Sequence, residues 1–278
     1  MTATALTAAA QGLAAAGSIT VPRLRFVRVP PEMVRGGYPV SKVTPNGMPL
    51  RALFVHPEVW SAFQRVAPRI VITDLLRTAE SSLARMKTAP GLVQAPGYSD
   101  HNFGGAFDLD IKATMKHGVF GGRAGIDSWL RACGFPMFWW TPGANAPPPN
   151  KPGSETWHHS YWDSAEGTGA DGRSTAAMAE RRMLRWYPWL DVRTWQNRPA
   201  SAQYMLARLG HYHGAIDGKF GPLSTTALAM FQRALQVRSW CRKKGVTDFA
   251  EGKLDAATAR VLAFCAAERE VIEPGDAK

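Results

Sequence analysis

The spacing of hydrophobic residues predicts a mixed first part of the chain. Residues 24–29 and 69–73 form strand-like apolar runs, whereas residues 57–66 and 128–133 have the spacing of a helix that buries one face. Glycine and proline interrupt this part often, and residues 141–154 contain too many prolines for a helix or a central strand, which predicts a surface loop. The pattern predicts an α+β domain with a small antiparallel sheet, flanking helices and long loops.

The last part of the chain has helical spacing. Residues 200–209, 223–235 and 255–264 each carry apolar side chains at helical intervals, and a turn rich in glycine, aspartate and proline separates the first two. About 75 residues in three short helices can bury only a small core. We therefore expect a small all-α three-helix domain that serves as a binding module.

A polar connection and a basic helix join the two parts. Residues 164–174 are small, polar and rich in glycine, as expected of a flexible linker, and residues 176–190 have helical spacing with a basic face. The predicted organisation is a first domain over residues 1–163, a linker over 164–193 and a binding domain over 194–270.

Charge narrows the class of partner only to anionic polymers. The 278-residue chain carries 33 Lys and Arg against 22 Asp and Glu, a net charge of +11. Nucleic acid, acidic lipid and the anionic bacterial envelope all attract such a protein. Basic runs of this kind are more often just solvated faces, but they would help to hold the anionic envelope if that is the partner; their residues are Arg181, Arg182, Arg185, Lys243 and Lys244.

Cysteine usage and the N-terminus favour folding in the cytoplasm. Cys133, Cys241 and Cys265 form no C-x-x-C pair, so we expect reduced side chains rather than a disulfide framework or a thiolate zinc site. The first basic residue is Arg23, so the alanine-rich start of the chain lacks the charged region of a signal peptide. No apolar run approaches the length of a membrane span.

Two short segments carry the residues of a candidate metal site. The first, residues 99–110, contains His101, Asp108 and Asp110, and the second, residues 155–159, contains a glutamate and two histidines. Two His and one Asp are a ligand set that catalytic zinc accepts, and a nearby glutamate would supply a general base. Residues 106–111 alternate as a strand, which predicts that Asp108 and Asp110 share a face.

The same segments match a known pattern. S-x-H-x-x-G-x-A-x-D fits Ser99, His101, Gly104, Ala106 and Asp108, and E-x-W-H fits Glu155, Trp157 and His158. Over roughly residues 65–163 the chain resembles the VanY-like zinc D-alanyl-D-alanine carboxypeptidases and L-alanyl-D-glutamate endopeptidases.

This resemblance implies a role for each matching residue. His101, Asp108 and His158 would bind one catalytic zinc ion, and Glu155 would be the catalytic base. Arg77 would stabilise the oxyanion, although its flanking residues depart from the family pattern, and Arg85 is the alternative. A further set is expected to orient the ligands or contact substrate: Ser99, Asp110, Trp157 and His159. The alternatives are a packing role for Trp157, which would fix its loop, and a structural role for the other three.

The last domain resembles a second family. Residues 209–232 contain LGHYHGAIDGKFGP, followed by a predicted helix that contains Phe-Gln, and over about residues 196–265 the chain resembles the common three-helix peptidoglycan-binding domain. The family's second turn appears only in degraded form, as EGKLDAATA from residue 251. The candidates for wall binding are the polar and aromatic residues around the first turn: Tyr212, Asp217 and Lys219.

Together the resemblances imply an endolysin-like zinc metallopeptidase that hydrolyses the peptide stems of bacterial peptidoglycan. The L-alanyl-D-glutamate bond is the expected target, because cutting there strips whole stems from the glycan. A cell-wall D-alanyl-D-alanine carboxypeptidase and a non-catalytic peptidoglycan-binding protein are the alternatives. No motif supports a nucleic-acid partner. We expect a monomer, made in the cytoplasm without a clear signal peptide, that acts in the periplasm or cell wall after release at phage lysis.

Overall fold

A computed structural model describes residues 19–34, 51–88, 94–118, 120–136, 138–139, 157–162, 174–235 and 250–270. These residues form eight α-helices and several small sheets, which confirms the predicted α+β class. The helices are α1 (Pro57–Val66), α2 (Ala79–Thr88), α3 (Ile111–His117), α4 (Arg123–Ala132), α5 (Ala176–Trp186), α6 (Arg198–Arg208), α7 (Pro222–Ala234) and α8 (Ala256–Ala267).

The strands are short. They are β1 (Val27–Arg28), β2 (Arg51–Ala52), β3 (Phe54–Val55), β4 (Ile72–Asp74), β5 (Leu76–Arg77), β6 (Ala106–Leu109), β7 (Phe138–Trp139), β8 (His158–Ser160) and β9 (Ser174–Thr175). Short 3-10 helices cover Pro31–Met33, Ala67–Arg69, Asp100–Phe103, Pro188–Leu190, Val192–Thr194 and Glu268–Glu270. No helix within the described ranges is both long and apolar enough to cross a membrane.

The chain divides into two compact units. We call the described residues of Arg25–Ser82 and Tyr98–Arg185 the sheet unit. The helical unit contains the described residues of Met1–Leu24, Leu83–Gly97 and Trp186–Val271. Helix α5 falls in the predicted linker, and all of it except Trp186 belongs to the sheet unit.

The central feature of the sheet unit is the antiparallel sheet β4-β6-β8. Asp108 of β6 pairs with Asp74 of β4 on one side and with His158 of β8 on the other. Directly paired residues project from the same face, so these three side chains form a polar row across the sheet. The next pair, Phe107 and His159, projects from the opposite face.

That opposite face packs into the apolar core of the sheet unit. The Phe107 ring lies 4.9 Å from Phe135 and 6.0 Å from Phe63 of helix α1, centroid to centroid. All three side chains are fully buried. Contacts between close-packed aromatic rings stabilise this layer, so one face of β6 anchors the sheet while the other carries the polar row.

Helix α5 does not present its whole basic face to water. The prediction that Arg182 belongs to a basic surface is wrong, because its side chain is fully buried and pairs with the buried carboxylate of Asp100. Its neighbours Arg181 and Arg185 are exposed, as predicted. Lys243 and Lys244 lie outside the described residues.

The helical unit contains the three helices that the pattern predicts, α6, α7 and α8. Their buried apolar side chains form its core; among them are Met205, Leu206, Leu228, Phe231, Leu262 and Phe264. Helix α8 begins after Asp255, whose carboxylate accepts a hydrogen bond from the backbone N–H of Thr258. Such a cap satisfies one of the unpaired N–H groups of the first turn. Cys133 and Cys265 are free cysteines, and Cys241 lies outside the described residues.

Candidate functional site

The 3-10 turn Asp100–Phe103 positions His101. The Ser99 and Asn102 side chains cap this turn reciprocally, and Gly104 ends it in the left-handed conformation at φ +66°. A Cβ atom on Gly104 would lie 2.6 Å from the His56 backbone nitrogen and 2.8 Å from Val55. Only glycine fits there without displacing the backbone, because any Cβ atom would clash and residues with a Cβ atom rarely adopt this φ.

Three predicted ligands meet on the polar face of the sheet. Asp108 Oδ1 lies 2.9 Å from His158 Nδ1 and 3.2 Å from His101 Nε2, and the two ring nitrogens are 3.0 Å apart. The three side chains are buried, and their ligand atoms all lie within 4.8 Å of one another. This buried His-Asp-His group could hold a metal ion.

Hydrogen bonds on the far side of each ring suit it for metal binding. His101 Nδ1 lies 2.7 Å from the Leu75 carbonyl oxygen, which can only accept, so Nδ1 carries a proton and the neutral ring would turn its Nε2 lone pair to the group. His158 Nε2 lies 3.2 Å from Ser160 Oγ, which can accept its proton and leave the Nδ1 lone pair for a metal. Two imidazole nitrogens and one carboxylate oxygen are a donor set that zinc accepts, and orienting bonds of this kind tune it.

The carboxylate of the group is held ionised. Burial opposes the charge on Asp108, but the charges of His101 and His158 and their hydrogen bonds hold the pKa of Asp108 well below its usual range. An ionised carboxylate is the form that binds a metal.

Arg77 lies beside this group. Its Nη2 atom is 3.7 Å from Asp108 Oδ2, and Nη2 and Nε both donate to Asp74 Oδ2, at 2.7 and 3.2 Å. The side chain is buried, so Asp74 fixes the guanidinium at the edge of the group. Arg85, the alternative, is half-buried on helix α2 and belongs to the helical unit.

The other residues expected near the ligands have varied placements. Ser99 caps the turn that carries His101, and Trp157 is 40% exposed next to His158. The prediction that Asp110 shares a strand face with Asp108 is wrong, because β6 ends at Leu109 and the Asp110 carboxylate caps helix α3 through the Ala113 N–H. Glu155, the expected base, lies outside the described residues.

His159 faces the core and not the ligand group. Its ring stacks on Phe107 at 5.8 Å, and its Nδ1 atom bonds the Phe135 carbonyl at 3.1 Å. Burial is the main cause that lowers the pKa of His159 to about 3, so the ring is neutral. The expectation that His159 orients the ligands or touches substrate is corrected, since adjacent residues of a strand point to opposite faces.

Sequence reasoning missed Asp74 and Ser160. Asp74 orients Arg77, and Ser160 lies at the second ring nitrogen of His158. The sequence contains a signal for each: Asp74 stands three residues before Arg77, and Ser160 stands two residues after His158, on the same face of a strand.

In the helical unit, Gln203 holds the turn of the wall-binding motif. Its Nε2 atom lies near four oxygens at 2.8–3.2 Å, and its Oε1 accepts from the Gly218 N–H at 2.9 Å. Tyr212 is buried there, and its hydroxyl donates to the Ala215 carbonyl. Tyr212 therefore holds the turn and cannot present its ring to a ligand, whereas Asp217 and Lys219 are exposed at the tip.

Gln232 repeats this arrangement in the degraded second turn. Its Oε1 accepts from the Gly252 N–H at 2.8 Å, and its Nε2 lies 3.1 Å from Thr258 Oγ1 and 3.3–3.4 Å from two backbone carbonyls. Gly218 and Gly252 both have positive φ, +72° and +76°. The two turns are therefore built in the same way despite their different sequences.

Comparison with known families supports this part of the chain. Residues 196–238 match the family model described as "Putative peptidoglycan binding domain". The chain thus carries a peptidoglycan-binding domain, which gives it peptidoglycan as a partner and associates it with the cell wall. No curated protein and no solved structure matches the chain.

Proposed function

We propose that this protein is a zinc peptidase that hydrolyses the peptide stems of peptidoglycan while its helical unit holds the wall. The observation that carries the proposal is the buried group of His101, Asp108 and His158, in a chain that also has a peptidoglycan-binding domain. A buried cluster of two imidazoles and an ionised carboxylate is costly for a purely structural role. It is the kind of site that a catalytic metal uses.

The three ligands would hold the metal through His101 Nε2, Asp108 Oδ1 and His158 Nδ1, the atoms that already face one another. When bound, zinc supplies Lewis-acid chemistry that polarises a carbonyl and makes a water more acidic. Leu75 and Ser160 would keep the two rings oriented with their lone pairs inward.

Two further residues would stabilise the developing negative charge and transfer the proton. Arg77 sits beside Asp108 with its guanidinium fixed by Asp74, where it would stabilise the negative charge that develops on the substrate carbonyl oxygen. Glu155 matches the base of the E-x-W-H motif. It would accept a proton from the attacking water and return that proton to the leaving amine as the peptide bond breaks.

We propose the L-alanyl-D-glutamate bond as the target and lysis as the setting, in which a protein made in the cytoplasm reaches the wall on release. Cleavage of this bond releases each stem from D-glutamate onward and leaves only L-alanine on the glycan, which removes the cross-links that a wall-dissolving enzyme must break. A D-alanyl-D-alanine carboxypeptidase would instead release single D-alanine residues from stem ends.

The test is digestion of purified peptidoglycan by metal-depleted protein, before and after zinc is restored, with mass analysis of the products. We expect zinc-dependent release of stem peptides that begin at D-glutamate, and none from Glu155→Ala, which should still bind zinc. Asp108→Asn is the matched variant that should bind zinc weakly. Free D-alanine as the product would replace the endopeptidase with a carboxypeptidase. Zinc and wall binding without any product would refute the enzyme, and active Glu155→Ala would refute the assigned base.

A further inference from the structure

Helix α5 of the sheet unit contributes a buried arginine. Arg182 is fully buried, although Arg181 and Arg185 on the same helix are exposed. A buried guanidinium is costly unless its charge is paired and its N–H groups are hydrogen-bonded. Arg182 meets the first condition through Asp100, whose Oδ2 atom lies 2.5 Å from its Nη2. Asp100 is also buried, so water screens this pair little.

Two hydrogen-bond partners of Arg182 belong to the two segments that carry the histidine ligands. Asp100 directly precedes His101 in its 3-10 turn. The second partner is the Tyr161 carbonyl, which accepts from Nη1, directly after strand β8 with its ligand His158. One planar guanidinium therefore connects the His101 turn to the end of the His158 strand, a geometry that suits arginine because its N–H groups form a rigid fork.

Backbone hydrogen bonds tighten the same junction. The Asp100 carbonyl accepts from the Gly105 N–H at 3.0 Å, and the Gly105 carbonyl accepts from the Tyr161 N–H at 2.7 Å. The two segments thus share one network, and a shift of either would move a ligand. Such a shift would change the 3.0 Å distance between His101 Nε2 and His158 Nδ1.

We infer that Arg182 is a positioning residue for the metal centre, and that it keeps the His101 turn and the His158 strand in the arrangement a metal requires. The inference rests on the proposed zinc site. Removing the guanidinium leaves the Asp100 charge buried without its partner, so the turn must rearrange toward water. Ligands that are no longer held in place must be ordered when the metal binds, which weakens affinity. Losses of 10–100-fold are typical when residues that orient metal ligands are changed, which sets the expected scale at roughly that range.

The experiment measures zinc affinity of the full chain by competition with a chromogenic chelator, well below the unfolding temperature. We expect Arg182→Met to bind zinc about 10–100-fold more weakly than the wild type. The zinc affinity of Arg182→Lys should lie between those of Arg182→Met and the wild type, since an ammonium can pair with Asp100 but lacks the fork that reaches Tyr161. Arg185→Met is the matched control, because Arg185 is exposed and pairs with Glu58 at the surface. It should bind zinc as the wild type does.

A second measurement needs no variant. Coupling between two sites is reciprocal, so zinc should protect helix α5 if Arg182 holds the ligands. Hydrogen exchange of the wild-type chain with and without zinc should show slower exchange in Ala176–Trp186 as well as in the ligand segments. Protection confined to the ligand segments would overturn the inference even if Arg182→Met does not fold.

The outcomes separate this inference from the proposed function. Equal zinc affinity in folded Arg182→Met and in the wild type would overturn the role of Arg182 and leave the zinc site standing. Failure of the wild-type chain itself to bind zinc would remove the metal centre and the inference together.

Discussion

Replacing Gln203 with leucine should destabilise the peptidoglycan-binding domain by about 3 kcal/mol. Gln203 is fully buried, and leucine has a similar volume, so the apolar packing changes little. The loss comes from hydrogen bonds. The Nε2 group has two protons to share among acceptors at 2.8–3.2 Å, and Oε1 accepts from the Gly218 N–H. Three bonds at about 1 kcal/mol each give the estimate.

Gln232 provides the comparison within the same domain. It holds the second turn with a similar Oε1 bond, but two of its Nε2 contacts are long, at 3.3 and 3.4 Å. Bonds of that length contribute less. Gln232→Leu should therefore cost about 2 kcal/mol, less than Gln203→Leu. The ranking of the two variants tests the reasoning more sharply than either value alone.

Hydrogen exchange measured by mass spectrometry is the suitable assay, because it reports the opening of one domain inside the whole chain. A loss of about 3 kcal/mol speeds exchange in helices α6 and α7 by roughly 100-fold. Exchange at the wild-type rate in Gln203→Leu would refute the account of the turn. A larger loss of stability from Gln232→Leu than from Gln203→Leu would refute the argument that the longer hydrogen bonds of Gln232 contribute less.

Three other predictions concern the sheet unit. Gly104→Ala should lower the free energy of unfolding in urea by more than about 2 kcal/mol, because it combines a strained φ with a backbone clash. Gly121→Ala, at φ +63° in open space, should lower it by about 1 kcal/mol. Equal losses in the two variants would contradict this reasoning. Zinc at about a hundred times its Kd should stabilise the wild type by about 2.7 kcal/mol in thermal unfolding, and should stabilise Asp108→Asn far less. Equal stabilisation of the two proteins would mean that the metal binds elsewhere. Burial and then nearby arginines lower the pKa of His56 from 6.5 to about 3, so stability falls as pH drops below 6.5. Between pH 7 and 5 the wild type should lose about 2 kcal/mol more than His56→Asn, which keeps the helix cap without titrating; parallel pH profiles would contradict the assignment.

Local pattern was sufficient for the helices of the binding domain. The predicted helix 223–235 is observed as Pro222–Ala234, and its neighbours differ by at most three residues at either end. Helical spacing is a short-range property, since each apolar position contacts the next turn of the same helix. The pattern also grouped His101 with Asp108, because both lie in the short segment 99–110.

The errors arise where a side chain's role depends on what packs against it. Alternation predicts which residues of a strand share a face, but not which face meets the core or where the strand ends. His159 therefore faces Phe107, and Asp110 caps a helix. Composition placed Arg182 with the surface arginines, yet a buried carboxylate distant in sequence pairs with it. Residue type and position make Tyr212 a ligand candidate, but in the structure its hydroxyl closes the turn.

By itself, the sequence determined the fold class, the three-helix domain and the identity of the candidate metal ligands, because each depends on residue type and on spacing within a short segment. Only the tertiary structure decided that Asp108 and His158, 50 residues apart, face each other at 2.9 Å. It also decided which groups lie beside the ligand segments, namely Leu75, Ser160 and the Arg182 network. The register of β4, β6 and β8 sets these contacts. Strand register is a long-range property, since it is selected by which faces the whole unit can bury.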